Sequence, residues 1–206
     1  MPLPLFQQMA ATATLLCLWN APLALAEGVF SSKGVPPPRA ERSRNHVKEN
    51  DPTEVKNGYA LLYALASDEA QVDLVFVIKR GSQALRDTMG KIAQEAKELK
   101  EDLESLRQDG GSTPFGSNGL PAIEVATRAL IRGEKQKRIL AGGPGVFERE
   151  LLLSQCEALT YGMGLLQSVA EKDPNSARRE LLKRHGEKWR ELRRATSRLL
   201  QTAGGS

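Results

Sequence analysis

Apolar residues recur every three or four positions along one proline-free stretch, and this spacing constrains the fold more than any other feature of the chain. They are Leu85, Met89, Ile92, Ala96, Leu99, Leu103 and Leu106. Such spacing places the side chains on one face, so the stretch predicts an α-helix that buries a single apolar stripe. An earlier apolar set, between Leu62 and Phe76, is out of phase with it. We therefore predict a first helix that breaks at Gly81-Ser82, with Ser82 as the N-cap of the second helix.

Three further amphipathic stretches predict three more helices. The first has Pro121 in its first turn and ends near Leu140, before a glycine-rich breaker. The second begins near Phe147, and the third follows Asp173-Pro174, which suits an N-cap and a first-turn proline. The β-branched run at 74–78 lies inside a helical pattern and is also predicted to be helical. The sequence thus predicts an all-α fold, an antiparallel bundle of four or five helices over residues 55–203, with a loop at 109–121.

The first 26 residues differ in composition from the rest of the chain. Residues 1–26 contain no Asp, Glu, Lys or Arg, and they end in Ala24-Leu25-Ala26, a pattern that signal peptidase cleaves. Asn20 and Pro22 interrupt the apolar run, which favours a cleaved signal peptide over a membrane anchor. Residues 27–54 are polar and proline-rich and predict a disordered linker. We therefore expect an exported protein of the periplasm, the cell envelope or the medium, without a transmembrane span after cleavage.

Positive charge is concentrated in the last predicted helix. From Pro174 to Leu200 the sequence has nine basic and three acidic residues, in a chain of net charge +4. The residues predicted to bind an anion or a partner are Arg178, Arg179, Lys183, Arg190, Arg194 and Arg198. The expected partner is a protein or an anionic envelope component rather than nucleic acid, because this face has no interleaved aromatics. A solvated face without a partner, and a homo-oligomer through the helix stripes, remain open alternatives.

No residue pattern predicts a catalytic residue, a metal ligand or a cofactor. The chain has two histidines and no Glu-x-x-His motif of the kind that holds paired metals in helical bundles. His185 lies on the stripe of the last helix. It is either a ligand or proton-transfer group, or a half-buried histidine whose second nitrogen meets solvent or Glu187, and we favour the second interpretation. No histidine lies near Cys156 in the sequence, so this cysteine is predicted to be a partly buried side chain rather than a nucleophile.

One motif resembles a known bacterial family. Phe147-Glu148-Arg149-Glu150-Leu151, followed by Gln155, is similar to the Phe-Asp-Arg-x-Tyr motif and later Gln of exported ferritin-like bundles called "predicted outer membrane protein", a family of unknown function. The resemblance implies a ferritin-like bundle and export. That family usually has an Asp-His pair on its second helix, where this chain has Glu95-Ala96, and a later histidine where it has Leu159. The resemblance therefore implies no metal ligand here.

The leading functional hypothesis is a non-enzymatic exported bundle that binds a protein partner or an anionic envelope surface. The alternative is a ferritin-like metal-binding or redox protein of the periplasm, which would need carboxylates that converge inside the bundle. The carboxylates that would distinguish the two hypotheses are Glu69, Asp73, Glu95 and Glu157.

Overall fold

The computed structural model describes residues 52–108 and 119–203, which form five α-helices and one short 3-10 helix. The α-helices are α1 (Pro52–Glu69), α2 (Gln83–Gln108), α3 (Ala122–Ala141), α4 (Pro144–Lys172) and α5 (Ser176–Ala203), and the 3-10 helix (Val72–Val77) lies between α1 and α2. No β-strand occurs within these two ranges, which confirms the all-α prediction. The predicted signal peptide at 1–26 and the linker up to residue 51 lie outside the described residues.

Four of the helices form a ring of contacts. α1 packs against α2 and α4, α5 packs against the same two helices, and α3 packs against α4. Gly58 lies beside Val169 and Leu65 lies beside Gly162, so α1 and α4 are antiparallel. In the same way, successive contacts between paired residues show that α5 is antiparallel to α4 and to α2. α1 and α5 therefore run one way, and α2 and α4 the other.

The core lies inside this ring and includes the predicted stripe of α2, together with Leu152, Leu159 and Leu166 of α4, which were not singled out from the sequence. The largest fully buried side chains are Trp189, Phe147, Leu62, Leu85, Met89, Ile92, Leu99, Leu103, Leu152, Leu159, Leu166 and Leu182. Trp189 packs its ring against Gly162, where an added Cβ would overlap the indole. The missing side chain of Gly162 thus leaves space that this aromatic ring fills. Large apolar side chains of this kind contribute the most to core stability when they are fully buried.

The start of α2 confirms one predicted boundary, whereas the end of α1 does not match the prediction. The Leu85 backbone N–H donates to Ser82 Oγ at 3.3 Å, so Ser82 is the N-cap as predicted. The first helix, however, ends at Glu69 rather than at Gly81, and the β-branched run forms the tighter 3-10 helix. Val72, Val75 and Val77 lose side-chain freedom in an α-helix, which explains why the α-helical pattern does not continue through them.

The two last helices begin at different residues than predicted. α4 begins at Pro144, so only Gly142 and Gly143 separate it from α3. α5 begins at Ser176, and Asn175 Oδ1 accepts the backbone N–H of Arg178, which makes Asn175 the N-cap instead of Asp173. Among the described helices, none is both long enough and apolar enough to cross a membrane.

Candidate functional site

The two longest helices, α4 and α5, form an antiparallel pair with a groove along its outer side. α4 has 29 residues and α5 has 28, and their contact is the most extensive in the fold. The groove has a volume of about 810 Å³, and its apolar lining is Met163, Leu166, Ala170 and Leu182. Gly164 and Gly186 also line it. Because these two residues have no side chain, the space between the helices remains open to the surface.

Basic side chains of α5 follow this groove. Arg179, Lys183 and Arg190 line it, and Arg194 is one turn beyond Arg190 on the same helix face. We call these four residues the basic stripe. Arg190 and Arg194 have no hydrogen-bond or ion-pair partner among the described residues, and both are exposed. Glu171 of α4 and Glu187 of α5 also line the groove, so its three basic side chains all belong to α5, and each wall carries one acidic residue.

The remaining basic residues of α5 have other positions. Arg178 donates two hydrogen bonds to Asp173, at 2.8 and 2.9 Å, and Asp173 is only 2% exposed. Tyr59 donates to the same carboxylate at 2.6 Å, so this cluster ties α1 to the corner between α4 and α5. Arg198 is exposed but does not line the groove. Of the six residues predicted to bind an anion or partner, three therefore line the groove, and Arg178 is held by a buried carboxylate.

His185 is buried between two carboxylates of α2. Its Nδ1 lies 2.6 Å from Glu95 Oε1, and its Nε2 lies 2.9 Å from Asp102 Oδ2. Carboxylates only accept hydrogen bonds, so the doubly protonated imidazolium satisfies both contacts. Burial alone would lower the pKa of His185, but the hydrogen bonds to Glu95 and Asp102 outweigh it and raise this pKa above its usual value. The prediction that the second nitrogen meets solvent or Glu187 is wrong, because α2 supplies both partners.

Lys188 extends this cluster toward the surface. Its Nζ lies 2.8 Å from Glu95 Oε2 and 2.8 Å from Glu98 Oε2. These hydrogen bonds raise the pKa of Lys188, which remains a cation. Both Glu95 oxygens are therefore occupied, one by His185 and the other by Lys188. The cluster joins α2 to α5 through ion pairs across their shared face.

Glu69 is a buried carboxyl in a different part of the core. It is 8% exposed and pairs with Gln155 of α4, which is 4% exposed. Burial raises the pKa of Glu69 to about 7, and the hydrogen bond from Gln155 lowers it only in part. Glu69 Oε2 and Gln155 Oε1 have no hydrogen-bond partner among the described residues. The free energy of folding therefore depends on the protonation state of this carboxyl.

The carboxylates that would distinguish a metal-binding protein lie in separate places. Glu69 pairs with Gln155, Glu95 pairs with His185, Asp73 is exposed, and Glu157 forms an ion pair with Lys135. Within residues 52–108 and 119–203, no three His, Cys, Asp or Glu side chains are arranged to hold a metal ion. Cys156 is a free thiol whose Sγ lies 3.5 Å from Ser197 Oγ, at the packed face between α4 and α5.

Comparison with known proteins gives no match: no family model, no curated protein and no solved structure is similar to this chain. The groove and its basic stripe therefore have to be interpreted from their own geometry and charge.

Proposed function

We propose that the protein is a non-enzymatic helical bundle that binds an anionic partner through the basic stripe of α5. The observation that carries this proposal is that Arg179, Lys183 and Arg190 line one open groove, with Arg194 one turn beyond it, and that Arg190 and Arg194 have no partner among the described residues. Unpaired positive charges beside a concave surface attract anions and concentrate them there.

Internal ion pairs engage part of the positive charge of α5, including Lys183 of the stripe, which pairs with Glu180 at 3.0 Å, but they do not engage Arg190 and Arg194. Arg178 and Lys188 bind buried or half-buried carboxylates, and Arg193 donates to Thr160 Oγ1 at 2.7 Å. These three residues hold α5 to its neighbours. A face that served only to keep the protein solvated would have no reason to follow a groove, whereas a binding face would. The position of the stripe thus supports binding over simple solvation.

A ferritin-like arrangement and export from the cell are parts of the same proposal. The helix directions support the arrangement: α1 and α5 run one way, α2 and α4 the other, and the long connection from α2 to α4 includes α3. Ferritin-like bundles have one long crossover connection of this kind. Export rests on the uncharged segment that ends in Ala24-Leu25-Ala26. Amino-terminal sequencing of protein from the envelope fraction should begin at Glu27, and an intact Met1 would contradict export with cleavage.

The metal-binding alternative has less support from the described side chains. Its carboxylates lie apart, and both oxygens of Glu95 are engaged by His185 and Lys188. A bound cation would have to displace the Lys188 ammonium, which is already paired with two carboxylates. Metal analysis of the purified protein checks this: a stoichiometric transition metal would favour the ferritin-like metal protein over our proposal.

The basic stripe can be tested by charge reversal. The triple variant Lys183→Glu, Arg190→Glu, Arg194→Glu removes the exposed members of the stripe. Arg179 is left in place because it donates to the backbone carbonyls of Asp173 and Pro174 and so supports the helix corner. In co-sedimentation with anionic vesicles and with a soluble polyanion such as polyglutamate, the wild type should bind at least one of them at low salt. Binding should weaken steeply with salt, because exposed charges are screened beyond ~8 Å at physiological ionic strength.

A matched control keeps the change in net charge but moves it to other faces. Lys91→Glu, Lys97→Glu and Arg149→Glu replace three exposed basic residues of α2 and α4 that do not line the groove. This variant should retain binding, whereas the stripe variant should lose it, and circular dichroism should show both folded. Equal binding by the wild type and the stripe variant at low salt would refute the proposal.

A further inference from the structure

Both ring nitrogens of His185 bond to carboxylates of a single neighbouring helix, α2. Glu95 and Asp102 are about two helical turns apart on that helix, and the ring lies between them. His185 and Lys188 supply the ion pairs that join α2 to α5. The turns of α5 that carry these two residues also line the groove with other side chains, such as Leu182 and Arg190.

We propose that Glu95, Asp102 and His185 form a proton-dependent latch between α2 and α5. The latch is closed while both ring nitrogens carry a proton, because each carboxylate then accepts one N–H. It opens at Asp102 when the ring loses one proton to water, because an unprotonated nitrogen and a carboxylate oxygen are both acceptors. The inference goes beyond the proposed function and does not depend on it, because it concerns how α5 is held rather than what its surface binds.

Burial decides which of the two contacts opens. The Glu95 side chain is 9% exposed and its second oxygen is bonded to Lys188, so water cannot replace the ring as its partner. The Asp102 side chain is 45% exposed, so water can take the place of Nε2 there. A buried carboxylate without a partner is costly, whereas a hydrated one is not. The neutral ring therefore keeps its proton on Nδ1, toward Glu95, and the contact between Nε2 and Asp102 is the one that is lost.

The charges of α2 and α5 favour the protonated ring. Lys188 bonds to Glu95 and to Glu98, so the closed cluster holds two cations against three carboxylates, and the open cluster holds one cation against the same three. Two further charged residues of α5 next to the ring, Arg184 and Glu187, are exposed to solvent. An excess of negative charge holds a proton on the ring, which agrees with its raised pKa.

α4, the other helix packed against α5, adds no charge at this level. Its residues 158–170 face this part of α5 and contain no Asp, Glu, Lys, Arg or His. Tyr161 is the titratable residue in that stretch, and its hydroxyl accepts a hydrogen bond from Arg128 of α3 at 3.0 Å. The ring of His185 is therefore controlled from the α2 side, where its two partners lie.

Nuclear magnetic resonance of the full chain can follow the latch during a titration from about pH 5 to about pH 10. The Cε1–H resonance of the His185 ring reports its protonation, and His46→Gln identifies this resonance, because the chain has two histidines. The pKa of His185 should lie above 6.5. As the ring loses its proton, the backbone amides of residues 99–106 should exchange with solvent at least about tenfold faster, after correction for the intrinsic pH dependence of exchange, because a charge-assisted hydrogen bond is lost.

Asp102→Asn tests the contact that opens. A carboxamide can accept from the protonated ring and donate to the neutral one, so this variant should keep the contact in both states. The pKa of His185 should fall by about one pH unit or more in this variant, because a negative partner is lost. Its amide exchange at residues 99–106 should no longer change as the ring titrates. Asp87→Asn is the matched control and should behave like the wild type, because Asp87 is an exposed carboxylate of α2 that accepts from Gln83.

Three results would overturn the inference. A ring that stays protonated up to about pH 10 would make the cluster a permanent ion pair. Titration of the ring without faster exchange at residues 99–106 would show that the contact does not open. An unchanged pKa of His185 in the Asp102→Asn variant would show that Asp102 is not the group that the ring releases.

Discussion

Replacing Glu69 with glutamine should stabilise the protein at alkaline pH and change its stability little in acid. Burial raises the pKa of Glu69 from 4.5 to about 7. Because the folded state holds this proton more tightly than the unfolded state, the free energy of unfolding falls as pH rises from 4.5 to about 7 and then levels off. Each pKa unit corresponds to ~1.36 kcal/mol, so the ionised carboxyl costs about 3 kcal/mol of stability above that window. The amide removes this cost and adds a donor next to the unpaired Gln155 Oε1.

Urea denaturation followed by circular dichroism measures the effect, because urea does not screen charges. The difference between Glu69→Gln and the wild type should be near zero at about pH 4 and reach up to about 3 kcal/mol in favour of the variant at about pH 8. Glu157→Gln is the matched control, because Glu157 is an exposed carboxylate paired with Lys135, and its effect should stay below about 1 kcal/mol without this pH dependence. A Glu69→Gln variant that is no more stable than the wild type at about pH 8 would refute the reasoning.

The remaining predictions concern the packing of α4 against α5 and the buried histidine. Gly162→Ala should destabilise the protein by about 1–3 kcal/mol, because the added Cβ overlaps the Trp189 ring. Gly164→Ala should stabilise it by about 0.5–1 kcal/mol, because the Cβ there meets no other atom. Chemical denaturation that ranks the two variants the other way would contradict this packing. Trp189→Ala should cost about 3–5 kcal/mol, and a loss under about 1 kcal/mol would mean that Trp189 is not a core residue. His185 has a raised pKa in the folded state, so the stabilisation that its charge contributes is complete below pH 6.5 and is lost as pH rises through the folded pKa. His185→Gln should therefore make the decline in the free energy of unfolding above pH 6.5 shallower. If the variant and the wild type lose stability with pH in the same way, the raised pKa is contradicted.

Periodicity predicted α2 well, because this helix buries one continuous stripe, whereas α3 buries only Ile139 and leaves Ile123 and Leu130 exposed. The stripe from Leu85 to Leu103 is buried as expected, and the Ser82 cap follows from local chemistry alone. The end of α1 at Glu69 was not predictable in the same way, because neither glycine nor proline marks it. The following valines have apolar spacing that fits a helix, while their branched side chains lower the α-helix propensity of the segment.

The candidate site was predicted only in part, because it depends on contacts between residues that are far apart in the sequence. The basic residues of α5 are visible in the sequence, but the groove depends on the register of α4 against α5, which brings Gly164 and Gly186 to the same groove. The partners of His185 lie 90 and 83 residues away in the chain, so no local pattern indicates them. Such a pairing depends on which helices become neighbours in the folded protein. The spacing of residues within one helix does not carry this information.

The most direct test of the central claim is to map the binding surface residue by residue. Titration of the isotope-labelled protein with polyglutamate at low salt, followed by backbone amide chemical shifts, would locate the contact. The account predicts shifts confined to the groove: residues 160–171 of α4 and 179–194 of α5, which include the basic stripe. These shifts should disappear in the Lys183→Glu, Arg190→Glu, Arg194→Glu variant. Shifts that lie instead on α2 or α3, or that persist in this variant, would contradict the claim that the basic stripe is the binding site.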